Sequence, residues 1–263
     1  MTYVQAGGVR IHVHIDGPAH APALMFSNSL GTDLRMWDAQ VTPFSERFRV
    51  VRYDARGQGS SGTPTGPYTI EELGGDALAV LDALDIERAH ICGISMGGMV
   101  ALWLAASHPE RLGRAVYANT AAKIGTDEMW DARIEAVRAG GMGAIRDMVL
   151  GRFFTDSFRR DPEVIRPTSE TFASASPEAY VDLCSAVRNA DLRDLVGSIR
   201  VPSLVVAGAH DAATPPSEAS WLHSEIPESE LVVVDAAHLS NVEQPYRFNQ
   251  AVLDFLDRGA EIT

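Results

Sequence analysis

The sequence predicts an α/β fold in which a mostly parallel central sheet is flanked by helices and interrupted by a helical cap. Short apolar runs of strand length alternate with helical patterns from residue 9 to about residue 118, and this alternation resumes after Arg200. Between these parts, from Ile124 to about Asn189, strand-like runs disappear and helical patterns remain. An alternation that is interrupted and then resumed indicates one sheet core, residues 1–123 and 190–263, with a cap at 124–189.

The first part of the chain supplies most of the predicted sheet. Residues Val9–Asp16 alternate between apolar and polar and precede the turn pair Gly17-Pro18, which is typical of a strand and its end. Further strands are expected at Ala23–Ser27, Arg49–Tyr53, Ala89–Ile94 and Ala115–Ala118. Helices are expected at Leu34–Phe44, at Ile70–Leu84, where Thr69 and Glu72 form a capping box, and at Met99–Ala106.

The cap and the last part of the chain follow the same reasoning. Within the cap, Trp130–Ala139 and Ala144–Phe153 have helical spacing. The alternation then continues with a strand at Val201–Ala209, a helix at Pro216–Glu225, a strand at Leu231–Val234 and a closing helix at Tyr246–Leu256.

The charge of the chain excludes several classes of function. The formal net charge is −13, which disfavours nucleic acid and anionic membranes as partners, because both bind clustered positive charge. Of the 22 cationic residues only Lys123 is a lysine, and no glycine-rich run precedes it, so a P-loop is absent. The N-terminal residues resemble no secretory signal and no apolar run is long enough to span a membrane, so a cytoplasmic location is expected.

A Gly-x-Ser-x-Gly motif at Gly93–Gly97 predicts the nucleophile. The motif follows the apolar strand Ala89–Ile94 and precedes a helical pattern, which is the context it requires. Glycines flank the serine because side chains at those positions would crowd the sharp strand-to-helix turn. Ser95 is therefore the predicted nucleophile.

A serine nucleophile needs a base and a carboxylate that orients the base. After a motif of this kind, the acid follows the serine in the chain and the histidine follows the acid. Asp211 comes directly after the predicted strand Val201–Ala209, and His238 follows the next strand. Both lie beyond the carboxyl ends of strands, the edge at which open α/β sheets carry their sites. Asp235 and His210 compete for the acid and base roles, but Asp235 belongs to the turn of His238 and His210 adjoins the expected acid.

The negative charge that develops on a reacting carbonyl needs two backbone donors. One is the N–H of the residue after the nucleophile, Met96, and the other comes from the loop after an earlier strand. That loop begins at Asn28 and is rich in small residues, which allow the backbone to approach a ligand. Leu30 is the donor predicted there.

A second motif, His12-Val13-His14-Ile15-Asp16, resembles the metal-binding motif of metallo-β-lactamase-like hydrolases. On a strand, His12 and His14 would share a face and could both bind zinc. That family has another histidine after the aspartate, where this sequence has Gly17. Alternation on an exposed first strand is the simpler interpretation, so neither a metal nor a cofactor is expected.

Taken together, these motifs resemble the α/β-hydrolase superfamily over essentially the whole chain. Within it they are similar to the 3-oxoadipate enol-lactonases. The similarity rests on Ser27–Thr32, Arg52–Gly57, Cys92–Gly98, Asp211–Pro216 and Ala236–Ser240, and most specifically on Ala118–Gly125, the stretch that contains Lys123. The resemblance implies that Ser95 attacks the lactone of a small anionic substrate, with Asp211 and His238 completing a triad and Leu30 and Met96 binding the oxyanion.

The same resemblance directs attention to two residues at the start of the cap. Trp130 would face the substrate ring, and Arg133, three residues later on the same helical face, would pair with the substrate carboxylate. Lys123 is interpreted instead as a structural residue that anchors the cap. The oligomeric state is left open.

Three other functions remain open from the sequence alone. A capped carboxylesterase or cofactor-free perhydrolase would share the fold and the triad, and would differ only in the cap. A non-catalytic receptor of the same fold could retain all three triad residues. A metal-dependent lactonase would be sensitive to EDTA.

Overall fold

A central sheet of eight strands organises the chain in the computed structural model, which describes residues 2–258. The strands are β1 (Thr2–Ala6), β2 (Val9–Asp16), β3 (Ala23–Ser27), β4 (Arg49–Tyr53), β5 (Ala89–Ile94), β6 (Leu112–Ala118), β7 (Ser203–Gly208) and β8 (Glu230–Val234). Their order is β1-β2-β4-β3-β5-β6-β7-β8. The pairs β1–β2 and β2–β4 are antiparallel, and every other pair is parallel. The predicted mostly parallel sheet is confirmed.

Helices flank this sheet. They are α1 (Asp38–Ser45), α2 (Ile70–Ala83), α3 (Met96–Ser107), α4 (Asp127–Gly140), α5 (Arg146–Phe153), α6 (Pro162–Ser174), α7 (Pro177–Asn189), α8 (Arg193–Val196), α9 (Pro216–Glu225), α10 (Ser240–Glu243) and α11 (Pro245–Asp257). Every residue of β3, β5 and β7 is buried, which requires helices on both faces of the middle of the sheet. Within residues 2–258, no helix is both long enough and apolar enough to cross a membrane.

The helix α2 begins as its sequence predicts. The Thr69 hydroxyl accepts a hydrogen bond from the Glu72 N–H, and the Glu72 carboxylate accepts one from the Thr69 N–H. This reciprocal pair satisfies two donors that the first turn of a helix leaves free. By contrast, the expected helix Leu34–Phe44 is divided into a 3-10 helix at Leu34–Trp37 and the α-helix α1.

The interpretation of Val9–Asp16 as an exposed first strand was wrong. It is the second strand, because Thr2–Ala6 pairs antiparallel with it and forms the sheet edge. His12 is consequently buried, and its Nδ1 lies 2.8 Å from the Asp54 carboxylate, whereas His14 is exposed. The two histidines therefore have different environments, and His12 is paired with Asp54.

The strand directions bring six chain segments to one edge of the sheet. Because β3, β4, β5, β6, β7 and β8 run parallel, their carboxyl ends meet at the same edge. The segments that leave this edge begin at Asn28, Asp54, Ser95, Asn119, Ala209 and Asp235. The four helices α4–α7 all come between β6 and β7, in the stretch predicted as the cap, whose status as a separate domain stays a prediction.

One buried side chain on β5 makes the stability of this fold depend on pH. His90 is fully buried, and neither ring nitrogen has a hydrogen-bond partner among residues 2–258. Burial, and then the positive charges of Arg114 and Arg88, lower the pKa of His90 from 6.5 to about 4. Between these pH values the unfolded chain binds a proton that the folded chain does not, so stability falls as pH falls from 6.5 to 4.

We therefore expect His90→Leu to flatten the dependence of unfolding free energy on pH. The loss of unfolding free energy between pH 6.5 and 4 should be smaller in the variant by about 3 kcal/mol. Urea unfolding across that pH range measures it. His20→Leu, at an exposed turn position, is the control and should retain the slope of the unmodified protein. An unchanged slope in His90→Leu would show that this imidazole does not resist protonation in the folded protein.

Candidate active site

The predicted nucleophile occupies a strained turn between β5 and α3. Ser95 has φ 58° and ψ −117°, a conformation that residues other than glycine rarely adopt. Its N–H donates to the Ala118 carbonyl at 3.1 Å, and its carbonyl accepts from the Thr120 hydroxyl at 2.7 Å. Both contacts come from the end of β6, so the neighbouring strand holds the turn in place.

Two glycines of the motif are required by close backbone contacts. A Cβ on Gly93 would overlap the Gly97 carbonyl, and a Cβ on Gly97 would overlap the Ser27 carbonyl at the end of β3. The first contact sets how sharply the chain reverses at Ser95. The second lets the start of α3 approach the loop that contains Leu30. The spacing of the motif therefore follows from backbone packing.

The structure brings the predicted acid and base together. Nδ1 of His238 lies 2.8 Å from Oδ2 of Asp211, and both side chains are buried. Burial alone would raise the pKa of Asp211, but the charge and hydrogen bond of His238, the N–H of Thr214 and the amide of Asn119 together lower it to about 2. An ionised Asp211 accepts a hydrogen bond from the Nδ1–H of His238, which leaves Nε2 of the imidazole free to act as a base.

Asn119 joins three parts of this arrangement, a role that sequence reasoning missed. Its amide nitrogen donates to Oδ2 of Asp211 at 3.0 Å and to the Ala237 carbonyl at 3.2 Å, and its amide oxygen accepts from the Ser240 hydroxyl at 2.5 Å. The residue has φ 45°, directly after β6. Its position at the same strand edge as Ser95 is the signal that could have identified it.

The loop of His238 is also held by a buried carboxylate and by the cap. Glu243 accepts hydrogen bonds from the Ala237 N–H at 3.0 Å and from the Thr155 N–H at 3.3 Å, and it also pairs with the Thr155 hydroxyl. The ring of Phe153, at the end of α5, stacks on the His238 ring with centroids 6.0 Å apart. The cap thus contacts the imidazole directly, and its placement affects the base.

The predicted oxyanion donors both have unused backbone N–H groups. Met96 is the first residue of α3, so no carbonyl within the helix can accept from it. Among residues 2–258, no loop or turn hydrogen bond is donated by the Leu30 N–H. Leu30 and Ser95 line the same cavity, and both Leu30 and Met96 are buried. Their assignment as oxyanion donors stays a prediction.

The cavity above Ser95 lies between the core and the predicted cap and is partly open to solvent. Ser95 and His238 line it from the core, and Trp130, Arg133 and Arg152 line it from the cap. The indole N–H of Trp130 donates to the Ile124 carbonyl at 2.6 Å, which fixes the ring in the wall. Arg152 was not predicted, although it lies at the end of an expected helix.

The alternative candidates for the base, the acid and the carboxylate-binding cation have partners of their own. Nε2 of His210 lies 2.7 Å from Oδ1 of Asp235, and both side chains are exposed. Lys123 contacts the Arg188 carbonyl at 3.5 Å and Asp127 at 3.6 Å, and does not line the cavity. These contacts are consistent with a structural role for Lys123 between the core and the cap.

The described residues contain no cluster of side chains suited to a metal ion. Among residues 2–258, no group of three or more His, Cys, Asp or Glu side chains could hold a metal ion. Both cysteines are buried and unpaired, and burial raises the pKa of each thiol.

Known proteins similar to this chain are hydrolases. A family profile described as alpha/beta hydrolase fold matches residues 22–245. 3-oxoadipate enol-lactonase 2 of Acinetobacter baylyi is 46% identical over 90% of this chain and 89% of that protein, and 3-oxoadipate enol-lactonase 1 is 41% identical over 95% and 94%. The crystal structure of the enol-lactonase from Burkholderia xenovorans LB400 is similar with a TM-score of 0.96 and 44% identity, covering 97% of this chain and 100% of that one.

The contacts of Asn119 predict a positioning role. Asn119→Ala removes the amide that donates hydrogen bonds to Asp211 and to the Ala237 carbonyl. We therefore expect kcat to fall by about 10- to 100-fold while KM changes by less than about threefold. Steady-state kinetics on an activated ester checks this. Asn189→Ala, at an exposed position on α7, is the matched control and should behave as the unmodified enzyme. A rise in KM with kcat unchanged would contradict the positioning role.

Proposed function

The chain belongs to the α/β-hydrolase family and is a hydrolase of ester bonds, and from this premise we propose that it opens 3-oxoadipate enol-lactone to 3-oxoadipate. This reaction would be one step of the β-ketoadipate pathway of aromatic degradation. The similarity to 3-oxoadipate enol-lactonases at 46% and 41% identity supports the proposal.

One observation carries this assignment. A single cavity joins Ser95 and His238 to Arg133, a cap arginine with no carboxylate within 4.0 Å among residues 2–258. The lactone of 3-oxoadipate has an ester group inside a ring and a free carboxylate on a short arm. Such a substrate needs a nucleophile and a cation facing one small space, which this cavity provides.

The first chemical step forms an ester with the enzyme. Nε2 of His238 takes the hydroxyl proton of Ser95 as its oxygen attacks the ring carbonyl, and Asp211 stabilises the resulting imidazolium. The oxyanion accepts hydrogen bonds from the Leu30 and Met96 N–H groups. When the ring C–O bond breaks, the enol oxygen receives the proton from His238.

The leaving group then favours completion of the reaction. The released enol converts to a ketone, which makes reversal of ring opening unfavourable. The ketone remains attached to the acyl chain on Ser95, so nothing leaves the cavity at this stage. A water molecule activated by His238 hydrolyses the acyl-enzyme, and we expect this deacylation to limit turnover.

The cap residues would orient the substrate. Trp130 is 4% exposed and provides a flat wall suited to the lactone ring. The Arg133 guanidinium carbon lies 4.7 Å from the centre of the Trp130 ring, so stacking restricts the cation. A restricted guanidinium loses less conformational entropy when it binds a carboxylate.

An assay on two substrates tests the proposed activity. We expect kcat/KM on enol-lactone generated in situ to exceed that on p-nitrophenyl acetate by about 100-fold or more, with no effect of EDTA. Ser95→Ala should lower kcat on the lactone by at least about 1,000-fold, because the nucleophile is lost. A preference for the simple ester would favour a carboxylesterase, and an inactive unmodified protein would favour a receptor.

A pair of variants tests which cation contacts the carboxylate. We expect Arg133→Met to raise KM for the lactone by about tenfold or more, because it removes a charge-assisted hydrogen bond. Lys123→Met removes a partly exposed ion pair outside the cavity and should change KM by less than about twofold. A rise in KM for Lys123→Met alone would reverse this assignment.

A further inference from the structure

Two arginines of the cap have an unusual reciprocal arrangement at the cavity. Nη2 of Arg133, on α4, points to the sulfur of Met148 on α5 at 3.8 Å. Nη1 of Arg152, on α5, points to the sulfur of Met129 on α4 at 3.6 Å. Each guanidinium therefore crosses to the other helix and meets a thioether there. A thioether sulfur is a weak acceptor, so both cations retain most of their capacity to donate.

Carboxylate partners that the two most buried arginines of the core have are missing here. Arg52 and Arg56, the two most buried arginines of the core, are paired with carboxylates at 2.7 Å. Among residues 2–258, neither Arg133 nor Arg152 forms an ion pair within 4.0 Å, although both are partly buried. Nε of Arg133 is buried without a hydrogen-bond partner. Partly desolvated cations without counter-ions are costly, and a bound anion would remove this cost.

The two charges lie close enough to affect each other. Burial lowers the pKa of Arg152 and the positive charge of Arg133 lowers it further, whereas Tyr180 and Asp211 act in the opposite direction. Tyr180 lines the same cavity, and its hydroxyl is buried without a hydrogen-bond partner among residues 2–258. Burial raises the pKa of Tyr180, so the hydroxyl remains a neutral donor. Arg133, Arg152 and Tyr180 thus provide three donor groups at one cavity.

From this geometry we propose that Arg152 and Arg133 together bind the free carboxylate of the substrate between their two guanidinium groups, with the Tyr180 hydroxyl as a further donor. This assignment rests on the proposed function and makes Arg152 a residue that determines specificity. The methionine sulfurs that contact these two guanidinium groups are on flexible side chains, which can move aside for a carboxylate. Two arginines favour a carboxylate over an uncharged group because both would otherwise stay without a counter-ion.

A ratio of two activities measures this specificity. The comparison substrate is α-angelica lactone, which has the same ring with a methyl group in place of the carboxymethyl arm. We expect Arg152→Met to lower the ratio of kcat/KM on enol-lactone to kcat/KM on α-angelica lactone by about 10- to 100-fold. Arg152→Lys should restore part of the ratio, since it retains the charge without the planar fork.

A matched control lies on the same helix. Arg146→Met removes an exposed arginine from the first turn of α5 and should leave the ratio of the unmodified enzyme. Thermal unfolding of each variant verifies that it is folded. If Arg152→Met retains the ratio while folded, Arg152 does not bind the carboxylate.

Titration with adipate, a stable dicarboxylate of the same chain length as the product, tests the site without turnover. We expect saturable calorimetric binding at millimolar concentrations, weakened at least about tenfold in Arg152→Met and unchanged in Arg146→Met. Binding dependent on Arg152 in a protein that does not open the lactone would support the anion site and contradict the proposed function. Absent binding, or equal binding in Arg152→Met, would overturn the paired-arginine site.

Discussion

The strained turn at Ser95 is the constraint on which the rest of the site depends. A residue with φ 58° and a side chain persists only where its surroundings hold it. Here the Ala118 carbonyl at the end of β6 and the Thr120 hydroxyl just after it do so. The close approach of Gly97 to Ser27 then sets the distance between α3 and the loop of Leu30. Ser95 and the proposed oxyanion donors are therefore positioned by one set of backbone contacts, and a larger residue at Gly93 or Gly97 would disturb both.

Binding of the proposed anionic substrate has to overcome the negative charge of the chain. The net charge of −13 would repel an anionic substrate, yet screening limits such a field to roughly 8 Å at physiological ionic strength. Attraction must therefore come from groups that face the cavity. Arg133 and Arg152 are suited to this because water is partly excluded around them, which strengthens their interaction with an anion.

Much of the fold could be predicted from local patterns, whereas parts of the site could not. The alternation of strands and helices, the capping box at Thr69 and the motif around Ser95 are encoded within a few consecutive residues. The strand Thr2–Ala6 has little apolar patterning, and pairing with Val9–Asp16 defines it instead. Asn119 was overlooked because its partners Asp211 and Ser240 are about a hundred residues away in sequence. Arg152 was overlooked because its contact with Met129 depends on how α5 lies relative to α4.

Covalent capture of the proposed intermediate tests the central claim most directly. The enzyme is mixed with enol-lactone, quenched in acid during steady-state turnover, digested and analysed by mass spectrometry. Because ring opening leaves the whole substrate attached, the peptide that contains Ser95 should gain the mass of one intact lactone, and Ser95→Ala should gain none. Turnover of the lactone without an adduct, or an adduct on a different residue, would contradict nucleophilic catalysis by Ser95.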